Sequence, residues 1–205
     1  MTYIVTYIEV PPGSTSQAIT LIGEYRKASG GEEGYSGIDV LLEVHRENRI
    51  VVMESWSAEA QQVHENAEQT SRFRSRLKDI HKSPYDQRVH HGFAVAPYSG
   101  VPGSDALFLV THVDVPPPRK DETEVLLKGV VEQFRKDSGN LRFDVFQQNA
   151  PRTNHFTVVA VWENEEAFSL HETALHTRQF REALGPMLGA LYDERLYKSL
   201  YKPGN

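Results

Sequence analysis

The stretch LHETALHTRQF, residues 170–180, places two histidines and a glutamate in a segment that reads as helix. Imidazole nitrogens can ligate zinc, and they can also act as bases near neutral pH. A zinc-protease helix spaces its histidines four residues apart, whereas His171 and His176 are five apart. In a regular helix the two rings then lie about 140° apart around the axis. We therefore expect no metal site here.

The composition limits the class of protein. The 205 residues include no cysteine, which excludes disulfides, thiolate metal sites and cysteine nucleophiles. A net charge of −6 without a basic stripe argues against nucleic acid as a partner. No apolar run approaches the roughly 18 residues of a membrane span, and the N-terminus has no signal-peptide pattern. We expect a cytoplasmic protein that does not bind membranes.

The sequence contains an internal duplication. Similar stretches recur in the same order at offsets of 105 to 109 residues. The pairs are YIVTYIEVPP at 3–12 with FLVTHVDVPP at 108–117, YRKASG at 25–30 with FRKDSG at 134–139, HENAEQTSRFRSRL at 64–77 with HETALHTRQFREAL at 171–184, and YDQR at 85–88 with YDER at 192–195. We predict two domains, 1–96 and 107–201, joined by a linker at 97–106 that is rich in glycine, proline and serine.

Each copy predicts the same elements. An alternating strand ends at Pro-Pro, and a helix that closes at Ser-Gly follows it. A hairpin, a helical stretch and a last strand that carries YDxR complete the order β-α-β-β-α-β. The predicted helices are 16–29 and 121–137, and the predicted hairpin strands are 36–45, 49–56, 141–148 and 155–162, with RENR and APRTN as turns. The second copy's later helical stretch should break near Gly185.

This order gives an antiparallel sheet with helices on one face, so the other face needs cover. The second copy can supply that cover. We expect an α+β fold of two tandem ferredoxin-like domains that form an intramolecular dimeric α+β barrel. The chain would then be an internal pseudo-dimer, and a further pairing of whole chains stays open.

The second copy resembles the antibiotic biosynthesis monooxygenase family of dimeric α+β barrel proteins, especially its quinol monooxygenases. The strand ends VDVPPP and VVAVW carry the resemblance, together with the series Trp162, His171, His176 and Phe180. The first copy is less similar, because Gln69 stands where the second copy has His176. The resemblance implies a pocket between the sheet and the helices of each copy.

Family members that oxidise quinols or anthrones need no flavin or metal, because the substrate anion itself reduces dioxygen. The resemblance therefore implies a cofactor-independent monooxygenase that oxidises a small aromatic quinol, phenol or anthrone-like substrate with O2. Such a site needs a base, donors that stabilise the anion, and an apolar cavity. Haem-degrading relatives carry an Asn on the opening strand, where this chain has Tyr7 or His112. They carry a Trp on the later helix, where this chain has a histidine, and a His ligand after it, where this chain has Leu184 or Leu77. The residues typical of haem degradation are therefore not found at these positions. We expect no cofactor.

The catalytic candidates are His171, His112 and Trp162. His171 lies on the apolar face of its helix and could be the base, or it could be a buried histidine that fixes the helix. His112 stands on the opening strand, where Tyr7 stands in the first copy, and could equally be a half-exposed strand residue. Trp162 could wall the pocket or belong to the core.

Seven further residues are candidates for substrate binding: His176, Arg195, Tyr192, Phe168, Tyr7, Trp56 and His64. His176 should be a solvated residue on the helix flank unless the helix bends. An arginine on the last strand could hold a substrate anion, or it could pair with the nearby aspartate at a sheet edge.

Two alternatives from other classes stay open: a non-enzymatic small-molecule-binding or stress-response barrel, and a cofactor-free isomerase. A cavity on the order of several hundred Å³ in the second copy, with His112 and His171 converging on it, would favour the oxygenase. A filled core would favour the non-enzymatic protein.

Overall fold

The computed structural model describes residues 1–97 and 102–201. The chain divides into two compact units, residues 1–90 and 91–205. Residues 98–101 of the predicted linker, and the tail 202–205, lie outside the described residues. No helix in the described part is long and apolar enough to span a membrane.

The first unit has the predicted element order. It contains β1 (Thr2–Glu9), α1 (Thr15–Ser29), β2 (Tyr35–Glu43), β3 (Arg46–Trp56), α2 (Ala58–Glu65), α3 (Glu68–Lys78) and the start of β4 (Asp86–Ala94). β3 is flanked by β1 and β2, both antiparallel to it. The apolar face of α1, with Leu21, Ile22 and Tyr25 buried at helical spacing, packs into the core.

The second unit repeats this order. It contains the end of β4, then β5 (Leu107–Asp114), α4 (Lys120–Phe134), β6 (Asn140–Gln148), β7 (His155–Trp162), α5 (Glu165–Thr173), α6 (Leu175–Leu184) and β8 (Arg195–Ser199). β7 is flanked by antiparallel β5 and β6, and β8 pairs with the other edge of β5. Leu109 of β5 and Phe143 of β6 both lie opposite Ala160 of β7.

The predicted tandem ferredoxin-like α+β domains are confirmed, with local differences. The first hairpin turns at Val44 and His45, so RENR belongs to β3. α4 ends at Phe134 rather than at residue 137. In the second unit, Tyr192, Asp193 and Glu194 of YDER precede the last strand, which begins at Arg195. α6 ends at Leu184, directly before the predicted break.

Candidate functional site

The candidate site lies where β7 gives way to α5. Asn164 caps α5, and its side-chain oxygen accepts a hydrogen bond from the Ala167 amide at 2.9 Å. Gly139 has φ 75°, and a Cβ built on it would lie 2.5 Å from the Ala167 Cβ. Glycine is required there because it tolerates positive φ and has no Cβ. The turn that carries Asp137 can therefore pack against α5.

The histidine segment forms two helices. α5 ends at Thr173 and α6 begins at Leu175, and Ala174 between them is extended, with φ −63° and ψ 146°. The prediction that a regular helix holds the two rings far apart is wrong, because the break at Ala174 turns His176 back toward His171. Their ring centroids lie 6.1 Å apart.

Both histidines converge on one carboxylate oxygen. His171 Nδ1 lies 2.6 Å from Asp137 Oδ2, and His176 Nε2 lies 2.9 Å from the same atom. Thr177 Oγ1 is 3.3 Å from His171 Nδ1. His176 is thus a half-buried partner of Asp137 rather than the solvated flank residue we expected.

Burial decides the protonation of His171. It lowers the pKa of the imidazole, and the hydrogen bond to Asp137 only partly offsets this effect. The ring is therefore neutral at pH 7. In the tautomer that suits the contacts, Nδ1–H donates to Asp137 and Nε2 carries the lone pair. No hydrogen bond to Nε2 occurs within the described part of the chain.

The ligand atoms of Asp137, His171 and His176 all lie within 4.8 Å of one another, so this group could hold a metal ion. Ligands about 2.1 Å from a zinc ion lie roughly 3.0–3.4 Å from one another. The 2.6 and 2.9 Å contacts are shorter than that and match hydrogen bonds. The arrangement therefore fits a carboxylate that orients two imidazoles better than it fits a preformed metal site.

A small cavity of about 10 Å³ adjoins His171. That volume holds about one water-sized group. The lining is mostly apolar and is formed by Leu109, Phe134, Phe143, Val158, Ala160, Trp162, His171, Thr177, Phe180, Tyr192 and Glu194. Such a cavity favours neutral groups and strengthens the few hydrogen bonds formed inside it.

Trp162, which lines this cavity, carries a hydrogen-bond donor that is not used. The side chain is fully buried, and its ring centroid lies 4.4 Å from that of His171. The indole Nε1 has no hydrogen-bond partner among the described residues. Leaving a buried donor unpaired costs about 1–3 kcal/mol, so the position favours an oxygen from outside the chain.

The Glu194 carboxylate borders the cavity. Arg181 forms an ion pair with Glu194 and lies 3.3 Å from Glu172. Burial, and then the neighbouring Glu194 carboxylate, raise the pKa of Tyr192, so the phenol stays protonated. Tyr192 therefore lines the cavity as a neutral side chain held by Glu194.

The first unit builds the same arrangement with one addition. His64 Nδ1 lies 2.9 Å from Glu32 Oε1, as His171 lies against Asp137. Glu54, two residues before Trp56, accepts hydrogen bonds from Trp56 Nε1 at 3.1 Å and from the Tyr25 hydroxyl at 3.0 Å.

Glu54 Oε2 also lies 3.2 Å from His64 Nε2. Burial opposes the charged form of His64, but the hydrogen bonds to Glu54 and Glu32 outweigh burial and raise its pKa. Trp56 and His64, predicted to bind substrate, are therefore engaged by the protein's own carboxylates.

The remaining predicted residues do not join the cavity. His112 is one position out of phase with Leu109 on β5, so it faces the other side of the sheet, where its Nδ1 lies 3.3 Å from Thr157 Oγ1. Arg195 forms an exposed ion pair with Asp193. Phe168 is buried, with its ring centroid 6.3 Å from that of Trp162.

In the first unit, the guanidinium carbon of Arg88 lies over the Tyr7 ring, 5.4 Å from the ring centroid.

Asp137, Glu194 and Ala160 escaped the sequence prediction. The repeat alignment makes Ala28 the counterpart of Asp137, whereas in the structure the counterpart is Glu32. The reason is that the extra residues of the first copy fall inside the turn between its first helix and its second strand. An acidic residue two positions before a positive-φ glycine, Gly34 or Gly139, was the available signal.

Comparison with solved structures supports the tandem fold. A candidate monooxygenase from Fusobacterium nucleatum aligns at TM-score 0.83 and 15% identity over 100% of this chain and 95% of that chain. An anthrone oxidase-like protein aligns at TM-score 0.76 and 14% identity over 100% and 94%. A major regulator of staphylococcal pathogenesis aligns at TM-score 0.63 and 9% identity over 98% and 100%.

At such low identities these likenesses concern the fold and not the chemistry. No curated protein matches the chain. The sequence profile described as Antibiotic biosynthesis monooxygenase matches twice, at residues 1–76 and 106–183, which together cover most of the chain and one copy in each unit. The chain therefore belongs to the antibiotic biosynthesis monooxygenase family.

Proposed function

We propose that this protein is a cofactor-independent monooxygenase that oxidises a small aromatic quinol, phenol or anthrone-like substrate with O2, and that its second unit does the work. One observation carries the proposal. His171, neutral and held by Asp137 at 2.6 Å, lines the same small cavity as Trp162, whose indole N–H has no partner among the described residues.

This geometry suits removal of an acidic proton. His171 Nε2 accepts the proton from a substrate O–H or activated C–H, and Asp137 stabilises the imidazolium that results. Trp162 Nε1–H can donate to the substrate oxygen as negative charge develops on it. The apolar lining keeps water away from the anion.

The redox step balances with dioxygen alone. For an anthrone-like CH2, the carbanion transfers one electron to O2, and the radical pair combines to form a C–O–O⁻ group. Protonation of the outer oxygen, loss of the second C–H proton and cleavage of the O–O bond then give C=O and water. The substrate supplies all four electrons, and one oxygen atom enters the product.

A second candidate function is a non-enzymatic small-molecule binder. Two observations favour it. The cavity of about 10 Å³ is far smaller than the pocket expected for a whole aromatic substrate, and His112 does not line it. The fold is also shared with a protein described as a regulator. On the oxygenase proposal, only the reacting oxygen of the substrate enters this cavity. A cofactor-free isomerase would use the same base without consuming oxygen.

The deciding experiment measures oxygen uptake by purified, chelator-treated protein with a panel of hydroquinones and anthrones. We expect uptake above the uncatalysed rate, one atom of 18O in the product, and loss of uptake in folded His171→Ala. His112→Ala tests the other catalytic candidate, and from its position we expect it to retain activity. No uptake across the panel would favour the binder or the isomerase.

A further inference from the structure

Each unit contains an equivalent site, and the two sites differ in the side chains that fill them. Trp56 corresponds to Trp162 and His64 to His171, because each pair occupies the same place at the end of the third strand and in the following helix. Glu54 and Ala160 each lie two residues before the tryptophan of their unit, so Glu54 is the counterpart of Ala160. The Glu54 side chain therefore stands where the second unit has a methyl group and a cavity.

A second replacement acts in the same direction. Tyr25 of α1 corresponds to Phe134 of α4, as the matched stretches YRKASG and FRKDSG align them. The Tyr25 hydroxyl donates to Glu54, whereas Phe134 lines the cavity and has no hydroxyl. The second unit thus lacks both polar groups that fill this position in the first.

Hydrogen-bond accounting defines what would fill the cavity. In the first unit, Glu54 Oε2 lies 3.1 Å from the Trp56 indole nitrogen and 3.2 Å from His64 Nε2, and the Tyr25 hydroxyl lies 2.6 Å from the same His64 nitrogen. In the second unit, the corresponding Trp162 donor and His171 Nε2 have no partner among the described residues. One donor beside one lone pair complements a hydroxyl, which accepts from the first and donates to the second.

We propose that the cavity beside Ala160 binds one hydroxyl oxygen of a phenolic ligand, between Trp162 Nε1 and His171 Nε2. The first unit is the same site closed by its own Glu54, so each chain has a single working site. The substrate class rests on the proposed function, whereas binding of the hydroxyl does not depend on turnover.

The closed unit also indicates the state that follows proton transfer. His64 is held between the carboxylates of Glu54 and Glu32, an ion-paired arrangement of oxyanion, imidazole and carboxylate. A phenolate beside a protonated His171, with Asp137 behind it, would reproduce that arrangement. Ala160 is then the residue that determines specificity, since its small side chain leaves room for the oxygen.

Two indole signals make the test direct, because Trp56 and Trp162 are the only tryptophans in the chain. Phenol is titrated under nitrogen into 15N-labelled protein, with anisole as the matched probe that has no hydroxyl proton. We expect phenol to shift the Trp162 indole N–H and to leave Trp56 in place. Anisole should bind at least tenfold more weakly.

The variant Ala160→Glu copies the first unit. We expect it to weaken phenol binding at least tenfold and to move the Trp162 indole signal toward that of Trp56. If Ala160→Glu does not fold, Phe134→Tyr places the Tyr25 hydroxyl in the same space and should weaken phenol binding in the same direction.

Equal effects of phenol on both tryptophans, or unchanged phenol affinity in the folded variant, would overturn the proposal. Selective binding of phenol at Trp162 without oxygen uptake would support this inference while removing the oxygenase function. Uptake that survives in Ala160→Glu would support the oxygenase and overturn the inference.

Discussion

His171 Nδ1 and Asp137 Oδ2 lie 2.6 Å apart, although 34 positions separate the two residues in the sequence. The corresponding pair in the first unit, His64 Nδ1 and Glu32 Oε1, lies 2.9 Å apart. The fold therefore builds a carboxylate–imidazole pair twice, and the two units differ in what meets the other nitrogen of the ring. Several measurements can separate the shared structural part from the part specific to the second unit.

The two histidines should titrate on opposite sides of the ordinary histidine pKa of 6.5. His171 should lose its proton below that value because burial disfavours the cation. Asp137 raises its pKa and nearby His176 lowers it. Burial lowers the pKa of His64, but Glu54 and Glu32 together favour the cation more strongly, so His64 should titrate above that value. Long-range 15N–1H spectra across pH 4–9 measure both, and the reverse order would contradict the protonation states proposed here.

These shifts give opposite pH dependences of stability. The raised pKa of His64 contributes stability that is present below pH 6.5 and is lost as pH rises through its folded-state pKa. The lowered pKa of His171 reduces stability as pH falls below 6.5, because the unfolded chain then takes up a proton that the folded chain does not. His64→Gln should therefore flatten the alkaline limb of the stability profile from urea unfolding.

Matched tryptophan substitutions should differ in cost. Trp56→Phe removes a bonded donor and leaves buried Glu54 with one hydrogen bond fewer. Trp162→Phe removes a donor that has no partner in the described structure. We expect Trp56→Phe to lower the free energy of unfolding by about 1–3 kcal/mol more than Trp162→Phe does. Equal losses in urea unfolding would indicate that the Trp162 indole is hydrogen-bonded in solution.

Gly139→Ala should be strongly destabilising. Its φ of 75° disfavours any residue with a Cβ, and the added atom would lie 2.5 Å from the Ala167 Cβ. We expect a loss of at least about 2 kcal/mol from backbone strain and overlap. Gly129→Ala is the control, since nothing lies within 4 Å of a Cβ there and the residue is in α4. It should gain roughly 0.5–1 kcal/mol, and similar losses in both variants would contradict the role given to Gly139.

His176→Gln tests whether the second histidine acts in the chemistry. The first unit carries Gln69 at this position and still forms its His64–Glu32 pair. We expect the oxidation rate to fall much less than the roughly 10²-fold typical of losing a general base. The His171 pKa should rise slightly, because protonated His176 repels the charged form of His171. A loss as large as that of His171→Ala would instead place His176 among the groups that transfer the proton.

The repeat and the alternating strands predicted the fold, because both are local patterns that a sequence displays directly. The inward face of His171 was predicted in the same way, from apolar residues at helical spacing. The break at Ala174 was not, because no glycine or proline marks it. With the helix assumed regular, His176 was placed on the wrong side, and its meeting with Asp137 could not be foreseen.

Long-range partners were the other gap. Asp137 reaches His171 only because Gly139 lets the turn before β6 contact α5, and the indel between the copies hid its counterpart Glu32. Ala160 has no chemistry of its own, so no motif could point to it. Its importance appears only when Glu54 is found in the same place in the first unit.

The most direct test of the central claim is oxygen uptake by Asp137→Asn beside Glu32→Gln with a substrate that the wild type oxidises. Each substitution removes the charge behind one imidazole and keeps the size of the side chain. We predict a rate roughly 10²-fold lower for Asp137→Asn and an unchanged rate for Glu32→Gln, because His171 lines a cavity whereas Glu54 and Tyr25 occupy the Nε2 side of His64. Equal losses in both variants, or an unchanged rate in Asp137→Asn, would contradict the assignment of the oxidation site to the second unit.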